Sequence, residues 1–352
     1  MNNLKFYRII ESDISFKLRM KVLIVGAGGF IGGFIAREAL SRGYETWCAV
    51  RESTSRRYLT DPALRFITLD YDDPDKLRDE LAGNQWDYIV YNLGATKCVN
   101  FSDFNHINFT YLRNFCEAVI TNGQIPKRFI YMSSLSALGP GDEKDYSPLN
   151  GSMIPQPNTR YGLSKIKAET LLQTLPSSFP WIILRPTGVY GPHERDYLMM
   201  IKSIDAHFDF GVGFRRQMLT FIYVEDLARA IFDALEKAPV HRKYIISEPR
   251  AYTQGEFRKI VAKELGHKLV IPVRLPLWAL KIACKVSEKY GAAKLQAVTL
   301  NSDKYKIMAQ RNWNCDTTDA ERDFGFKARI DLAEGIKRTV RAYRNELKNN
   351  KK

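Results

Sequence analysis

The segment from Lys21 to Gly43 constrains this chain most. Lys21-Val-Leu-Ile-Val25 is a short, continuous apolar run rich in β-branched residues, the pattern of a strand buried on both faces. Gly26-Ala-Gly-Gly-Phe-Ile-Gly32 follows at once, and a helical pattern then runs to Arg42 and stops at Gly43. Glycines at 26, 29 and 32 give GxxGxxG spacing. Such a turn needs a positive φ at one position, no side chain where backbone meets a pyrophosphate, and a small residue where helix packs on strand. The helix start adds free N–H groups and the positive end of its dipole. A lone glycine pattern is weak evidence. Here strand, turn, helix and second strand stand in register, so Gly26, Gly29, Phe30, Ile31 and Gly32 are expected to cradle a dinucleotide.

The same rhythm continues. Strands are expected at 46–50, 66–69, 88–91, 128–132 and 181–184, with helices near 103–122 and 161–175. This alternation predicts an α/β fold, a Rossmann-type doubly wound parallel sheet. After Pro192 helical segments, Gly-rich turns and basic residues take over, which predicts a smaller C-terminal substrate-binding lobe. The expected divisions are an extension at 1–20, a dinucleotide-binding core at 21–190, and a lobe at 191–345. A return segment, 218–250, packs back on the core, and 346–352 is a basic tail. Residues 1–20 are broken by charge and lack the apolar stretch of a secretion signal, and no run of 18 apolar residues occurs. A cytoplasmic chain is the expectation. The five cysteines are scattered and odd in number, which reads as buried thiols in a reducing compartment. The five histidines lack metal-site spacing, so no metal is expected.

The tip of the second strand discriminates between cofactors. A carboxylate there binds ribose hydroxyls and favours NAD, whereas arginine grips a 2′-phosphate. Val50 is followed by Arg51, with Arg56 and Arg57 close behind, which favours NADP. Glu52 on the ribose, with Arg51 solvated, is the NAD alternative. Asp70, at the tip of the third strand, is placed either to meet the adenine edge or to cap the next turn.

Tyr161-Gly-Leu-Ser-Lys165 sets a tyrosine and a lysine four apart on one helix face. A nearby ammonium stabilises a phenolate, so the hydroxyl can exchange a proton with a substrate oxygen. Ser133-Ser134 at the end of the fifth strand offers a hydroxyl to the same oxygen, and Asn108 is a candidate for completing a polar relay.

Together these motifs resemble the extended short-chain dehydrogenase/reductase superfamily, in its NAD(P)-dependent epimerase/dehydratase-like branch. The resemblance covers about residues 21–345. It also rests on Asn92-Leu-Gly-Ala95, on Leu184-Arg-Pro-Thr-Gly-Val-Tyr-Gly-Pro192 and on Phe221-Ile-Tyr-Val-Glu-Asp226. It implies that Tyr161 is the general acid/base, that Lys165 binds nicotinamide ribose and tunes the tyrosine, and that Ser134 holds the substrate oxygen. It further implies that Leu93, Gly94 and Ala95 border the cofactor, and that Pro186, Thr187 and Val189 line the nicotinamide. Asp226 is implied to organise the return segment, and a homodimer is the implied assembly. The sequence departs from the branch's dehydratases, which place an Asp-Glu pair after the hydroxyl residue; Leu135 and Ser136 stand there. The wording is closer to reductases of flavonoid- and sterol-type ketones. The expected activity is therefore reduction of a carbonyl or oxidation of a secondary alcohol. A nucleotide-sugar epimerase or reductase is one alternative, and a non-catalytic dinucleotide-binding assembly or sensor protein is the other.

Charge adds a clue to the partner. The net charge is +14, yet residues 1–180 carry 21 Lys/Arg against 19 Asp/Glu, and residues 181–352 carry 32 against 20. The excess belongs to the second half. It fits a small-molecule substrate that is anionic, met by Arg195, Arg215 or Arg216, or lipid-like. Around residues 275–290, Leu277, Leu280, Ile282 and Val286 are expected to share an apolar side, with Lys281, Lys285 and Lys289 every four residues. That helix reads either as a cover on the lobe or as a peripheral membrane contact. No nucleic-acid recognition motif accompanies the charge, so no nucleic-acid partner is expected.

Overall fold

Apolar residues alternate between two faces of one sheet in the computed structural model, which describes residues 20–294, 296, 298 and 300–349. The strands are β1 (Lys21–Val25), β2 (Glu45–Val50), β3 (Arg65–Thr68), β4 (Tyr88–Tyr91), β5 (Arg128–Met132), β6 (Trp181–Pro186) and a last strand, Arg242–Ile246. Their spatial order is Arg242–Ile246, β6, β5, β4, β1, β2, β3, and every neighbour pair is parallel. Val22, Ile24, Cys48, Ile130 and Ile182 face one layer of helices, meeting Ile35 and Ala39 of Phe30–Ser41 and Ile231 and Leu235 of Val224–Lys237. Leu23, Val25, Ile89, Phe129 and Ile183 face the other, meeting Phe115 and Val119 of Tyr111–Thr121 and Leu172 of Arg160–Thr174. Burial on both faces explains why these strands read as continuous apolar runs.

The doubly wound expectation therefore holds, and β1–β6 fall where the sequence places them within a few residues. The strand Arg242–Ile246 was not foreseen. It begins with exposed Arg242, and its pairing comes from β6, not from its own pattern. The expected 103–122 helix is three pieces: Phe101–Asn105, a π-helical turn at His106–Thr110, and Tyr111–Thr121. The C-terminal lobe packs Tyr190, Ile201, Phe221 and Phe257 against Leu332 and Ile336. Asp226 is buried and its carboxylate accepts from the backbone N–H groups of Arg329 and Ile330, pinning that lobe to the core. In the helix Leu277–Ala293 the apolar side chains do not share one side: Leu280 is buried, while Ile282 and Val286 are exposed. The expected extension, save Met20, and residues 350–352 of the tail lie outside the described residues. All five cysteines are buried thiols. Among the described residues no helix is long and apolar enough to cross a membrane.

A buried ion pair ties the helix Arg160–Thr174 to the sheet. Arg185 of β6 donates to both oxygens of Glu169, at 3.0 and 2.6 Å, and both side chains are fully buried. Ser133 also donates to Glu169. Removing one partner of such a pair strands the other charge, which typically costs about 3–5 kcal/mol. Glu169→Ala should lose about that much in urea unfolding, and adding Arg185→Met should recover a large part of it. A loss below about 1 kcal/mol for the single variant, the range of an exposed pair, would refute this account.

Candidate functional site

The carboxyl ends of the central strands open on one cleft of about 990 Å³. A parallel sheet sends all its strand-to-helix loops to that edge, and ligands bind there. The glycine turn after β1 forms one wall. Gly26 has φ +84°, and a Cβ on Gly32 would lie 2.4 Å from the Gly26 carbonyl oxygen, so the helix touches the turn backbone. Gly29 caps the helix without a side-chain acceptor, leaving the first N–H groups for an anion. Gly26, Gly29, Phe30 and Ile31 line the cleft, while Gly32 lies beneath it in the helix contact. These residues fit a dinucleotide pyrophosphate: backbone N–H groups are presented where no side chain has room.

The loop after β2 closes the next side. Arg51, Arg57 and Tyr58 line the cleft, with Ser53, Thr54 and Ser55 between them. Arg56 is turned away and stacks over Phe66 at 4.2 Å. Asp70 is not among the lining residues. Its carboxylate accepts from the N–H of Asp72 at 3.1 Å and from Lys76 at 3.2 Å, and those bonds hold it below the ordinary carboxylate range. The adjacent Tyr71, buried, reaches the cleft in its place.

Asn92, Leu93 and Gly94 follow β4 along the floor, whereas Ala95 stands behind them. Asn108 is fully buried in the π-helical turn. Its Oδ1 accepts from the Ala95 N–H at 2.7 Å, and its Nδ2 donates to the Ala95 carbonyl at 3.0 Å and to Ser164 Oγ at 2.9 Å. Asn108 thus clamps the loop after β4 to the Tyr161 helix and does not line the cleft.

At the far end Ser134, Tyr161 and Lys165 come together. Thr159 caps the helix Arg160–Thr174 by accepting from the Gly162 N–H at 3.0 Å. A Cβ on Gly162 would sit 2.3 Å from the Ser136 carbonyl oxygen, so the helix start abuts the loop that carries Ser134. Burial pushes the Tyr161 hydroxyl up to about 12, and a hydrogen bond with Ser134 opposes it. Lys165 donates to the Met132 carbonyl at 2.8 Å, and its ammonium is 5.9 Å from the centre of the Tyr161 ring. Burial pulls Lys165 down to about 7, with Glu169 opposing. Pro186, the last residue of β6, and Thr187 and Val189 beyond it complete this end.

Several lining residues carried no sequence signal. Lys97 reaches the cleft from one loop, and His193, Glu194 and Asp196 reach it from the start of the helix Arg195–Asp205, about a quarter of the chain away. Asp196 receives Lys97 at 2.7 Å and Lys304 at 3.0 Å, bridging core and lobe at the mouth. Of the three arginines considered for an anionic substrate, Arg195 lines the cleft. Arg215 and Arg216 are exposed and lie outside it, Arg215 facing Glu143 at 3.7 Å. Leu135 is buried against Leu138, Leu149 and Ile245.

Comparison with known proteins places the chain. The family described as the NAD dependent epimerase/dehydratase family matches residues 22–247. A ceramide reductase of Caulobacter vibrioides is 24% identical over 325 residues, 92% of this chain and 94% of that protein. A UDP-glucose 4-epimerase of Vibrio cholerae is 24% identical over 341 residues, 93% and 96% of the two chains. The solved structure of UDP-glucose 4-epimerase from Thermotoga maritima with UDP-glucose superposes with a TM-score of 0.74 at 20% identity, covering 93% of this chain and 100% of that one. With the family matched across the whole core, this chain belongs to the NAD-dependent epimerase/dehydratase family of enzymes.

Proposed function

We infer that the protein is an oxidoreductase that reduces a carbonyl, or oxidises a secondary alcohol, with a nicotinamide dinucleotide, NADP by preference. The observation that carries this reading is the convergence of Ser134, Tyr161 and Lys165 at one end of a cleft whose other end is the glycine cradle. When bound, a nicotinamide dinucleotide supplies or accepts hydride. This chain's residues handle the proton and the geometry.

Tyr161 stays protonated at neutral pH, because burial penalises the phenolate. It is therefore ready to donate to a carbonyl oxygen that gains negative charge. Ser134 lies beside it and can hold the same oxygen. Lys165 stands close enough for its positive charge to stabilise the phenolate left behind. The Met132 carbonyl holds the ammonium in place, and Asn108 holds the neighbouring loop. Elimination of water is disfavoured: the position after Ser134 carries Leu135, an apolar side chain in a packed cluster with no proton to give.

Arg51 and Arg57 line the cleft where Glu52 does not, which supports NADP over NAD. The likeness to a ceramide reductase over nearly the whole chain supports a carbonyl carried on an apolar chain. The likeness to a UDP-glucose 4-epimerase supports a second reading, in which oxidation and re-reduction leave no net change in cofactor. A panel of long-chain ketones and nucleotide sugars separates them: net NADPH consumption favours the first, and isomerised sugar with tightly held NAD the second.

Tyr161→Phe should lower turnover by at least about a hundredfold, the scale of general acid catalysis, with dinucleotide affinity close to wild type. Turnover like wild type would refute the mechanism. NADPH should raise the melting temperature more than NADH, and Arg51→Ala should remove that difference, a loss of about 1.5–3 kcal/mol in NADPH binding. A larger shift with NADH in the wild type would reverse the cofactor assignment. Lys165 supplies a pH test in the dinucleotide-free protein. Its folded value is about 7 and its ordinary value 10.5, so between these the unfolded chain binds a proton that the folded chain does not. Stability therefore rises with pH across that window. Relative to Lys165→Met, the wild type should be least stable below pH 7 and recover as pH climbs. A pH-independent difference would contradict a lysine whose proton affinity burial has lowered.

A further inference from the structure

The helix Leu277–Ala293 has two unlike sides. Leu280 and Cys284 are buried and pack with Val212, Tyr305 and Met308 of the lobe. The opposite side carries Trp278, Ile282, Val286 and Tyr290 at intervals of four, and these are 68%, 55%, 63% and 60% exposed. Lys281, Lys285 and Lys289 form a second exposed row beside them. A helix that only covered the lobe would turn its large apolar residues inward. Single exposed apolar residues are ordinary on a surface, but an aligned row of four is not.

The strand packed under the helix also carries exposed apolar residues. Val212, packed against Leu280, ends a strand whose Phe208 and Phe210 are exposed and stacked 6.1 Å apart. Side chains two apart on a strand share a face, so Phe208 and Phe210 stand on the face that Val212 turns to the helix. Phe214, just beyond the strand, is 78% exposed.

The chemistry of the rows selects their occupant. Tryptophan and tyrosine favour the boundary between headgroups and acyl chains, and lysine favours anionic headgroups. A second copy of the chain is a poor match. Two-fold pairing on this side would oppose the lysine rows, and the helix's one carboxylate, Glu288, is already engaged by Arg160 and Ser302. We propose that this face seats the protein peripherally on an anionic phospholipid surface, with the apolar row at the acyl boundary and the lysine row on the phosphates. Arg160 directly precedes Tyr161, so its ion pair with Glu288 ties the docked helix to the helix that carries the proposed proton donor. The proposal goes beyond the assignment of hydride chemistry and does not depend on it, because docking needs no turnover.

Vesicle co-sedimentation tests it with the full-length protein. Wild type should pellet with phosphatidylcholine vesicles containing phosphatidylglycerol, and not with phosphatidylcholine alone. The variant Trp278→Ser/Ile282→Ser/Val286→Ser should lose that binding. Lys281→Gln/Lys285→Gln/Lys289→Gln should weaken it on the order of a hundredfold, taking about fivefold for each lysine at the surface. Both variants should keep the wild-type melting shift with NADPH, a check that fold and dinucleotide site are intact. Wild type that ignores anionic vesicles would overturn the proposal, as would folded variants that bind them equally well. It also fails if the apolar variant dissociates a dimer in size-exclusion chromatography while vesicle binding is unchanged, because the face would then join two copies.

Discussion

The site depends on one row of side chains docked into the end of the sheet. Tyr161, Lys165 and Glu169 lie four apart on the helix Arg160–Thr174, so they face the same way. Glu169 is locked to Arg185 of β6, and Lys165 is bonded to the carbonyl of Met132 at the end of β5. The row therefore cannot slide or rotate against the sheet without breaking buried charged bonds. Tyr161 is carried to Ser134 by that constraint, and the contact of Gly162 with the Ser136 carbonyl sets how closely the two approach. Ser133 joins the same network through Glu169, whereas Ser134 is beside the Tyr161 hydroxyl.

The two ends of the cleft use different physics. At the glycine turn, the absence of side chains leaves backbone N–H groups open to an anion. At the tyrosine end stand two ionisable groups whose burial moves them in opposite senses, the hydroxyl up and the ammonium down. Each shift opposes charge, and the proton is retained on the tyrosine oxygen. Asn108 joins the floor to the tyrosine end, since one side chain clamps the loop after β4 and the serine next to Lys165.

Much of the fold was legible because strands buried on both faces need a continuous apolar stretch, and β1, β2, β4, β5 and β6 each carry four consecutive apolar residues. The strand Arg242–Ile246 was not legible, because it begins with two charged residues and is recruited by the edge of β6. Glycine spacing, Arg51 and the Tyr161–Lys165 pair were legible as local patterns that meet in the cleft. Position alone left Asp70 either meeting the adenine edge or capping the next turn; its carboxylate accepts from the Asp72 N–H and from Lys76, as a turn cap does. Lys97, Asp196 and Lys304 form their bridge only when core and lobe meet, and no spacing along the chain encodes that.

The sequence by itself determined the parallel architecture, the phosphate cradle and the row carrying tyrosine and lysine. Each is written in a period of two or 3.6 residues, or in the absence of a side chain. Only the tertiary structure decided which charged and apolar groups face the cleft, the core or solvent. It left Arg51 and Arg195 on the cleft and took Arg215 out of it. It also covered the side of Leu277–Ala293 that carries Leu280 and left bare the side that carries Ile282 and Val286, which the helical period sets about 200° or more round from it. The reason is physical. Periodicity fixes which residues share a side of a helix, but the neighbours that cover a side, or leave it bare, come from distant parts of the chain.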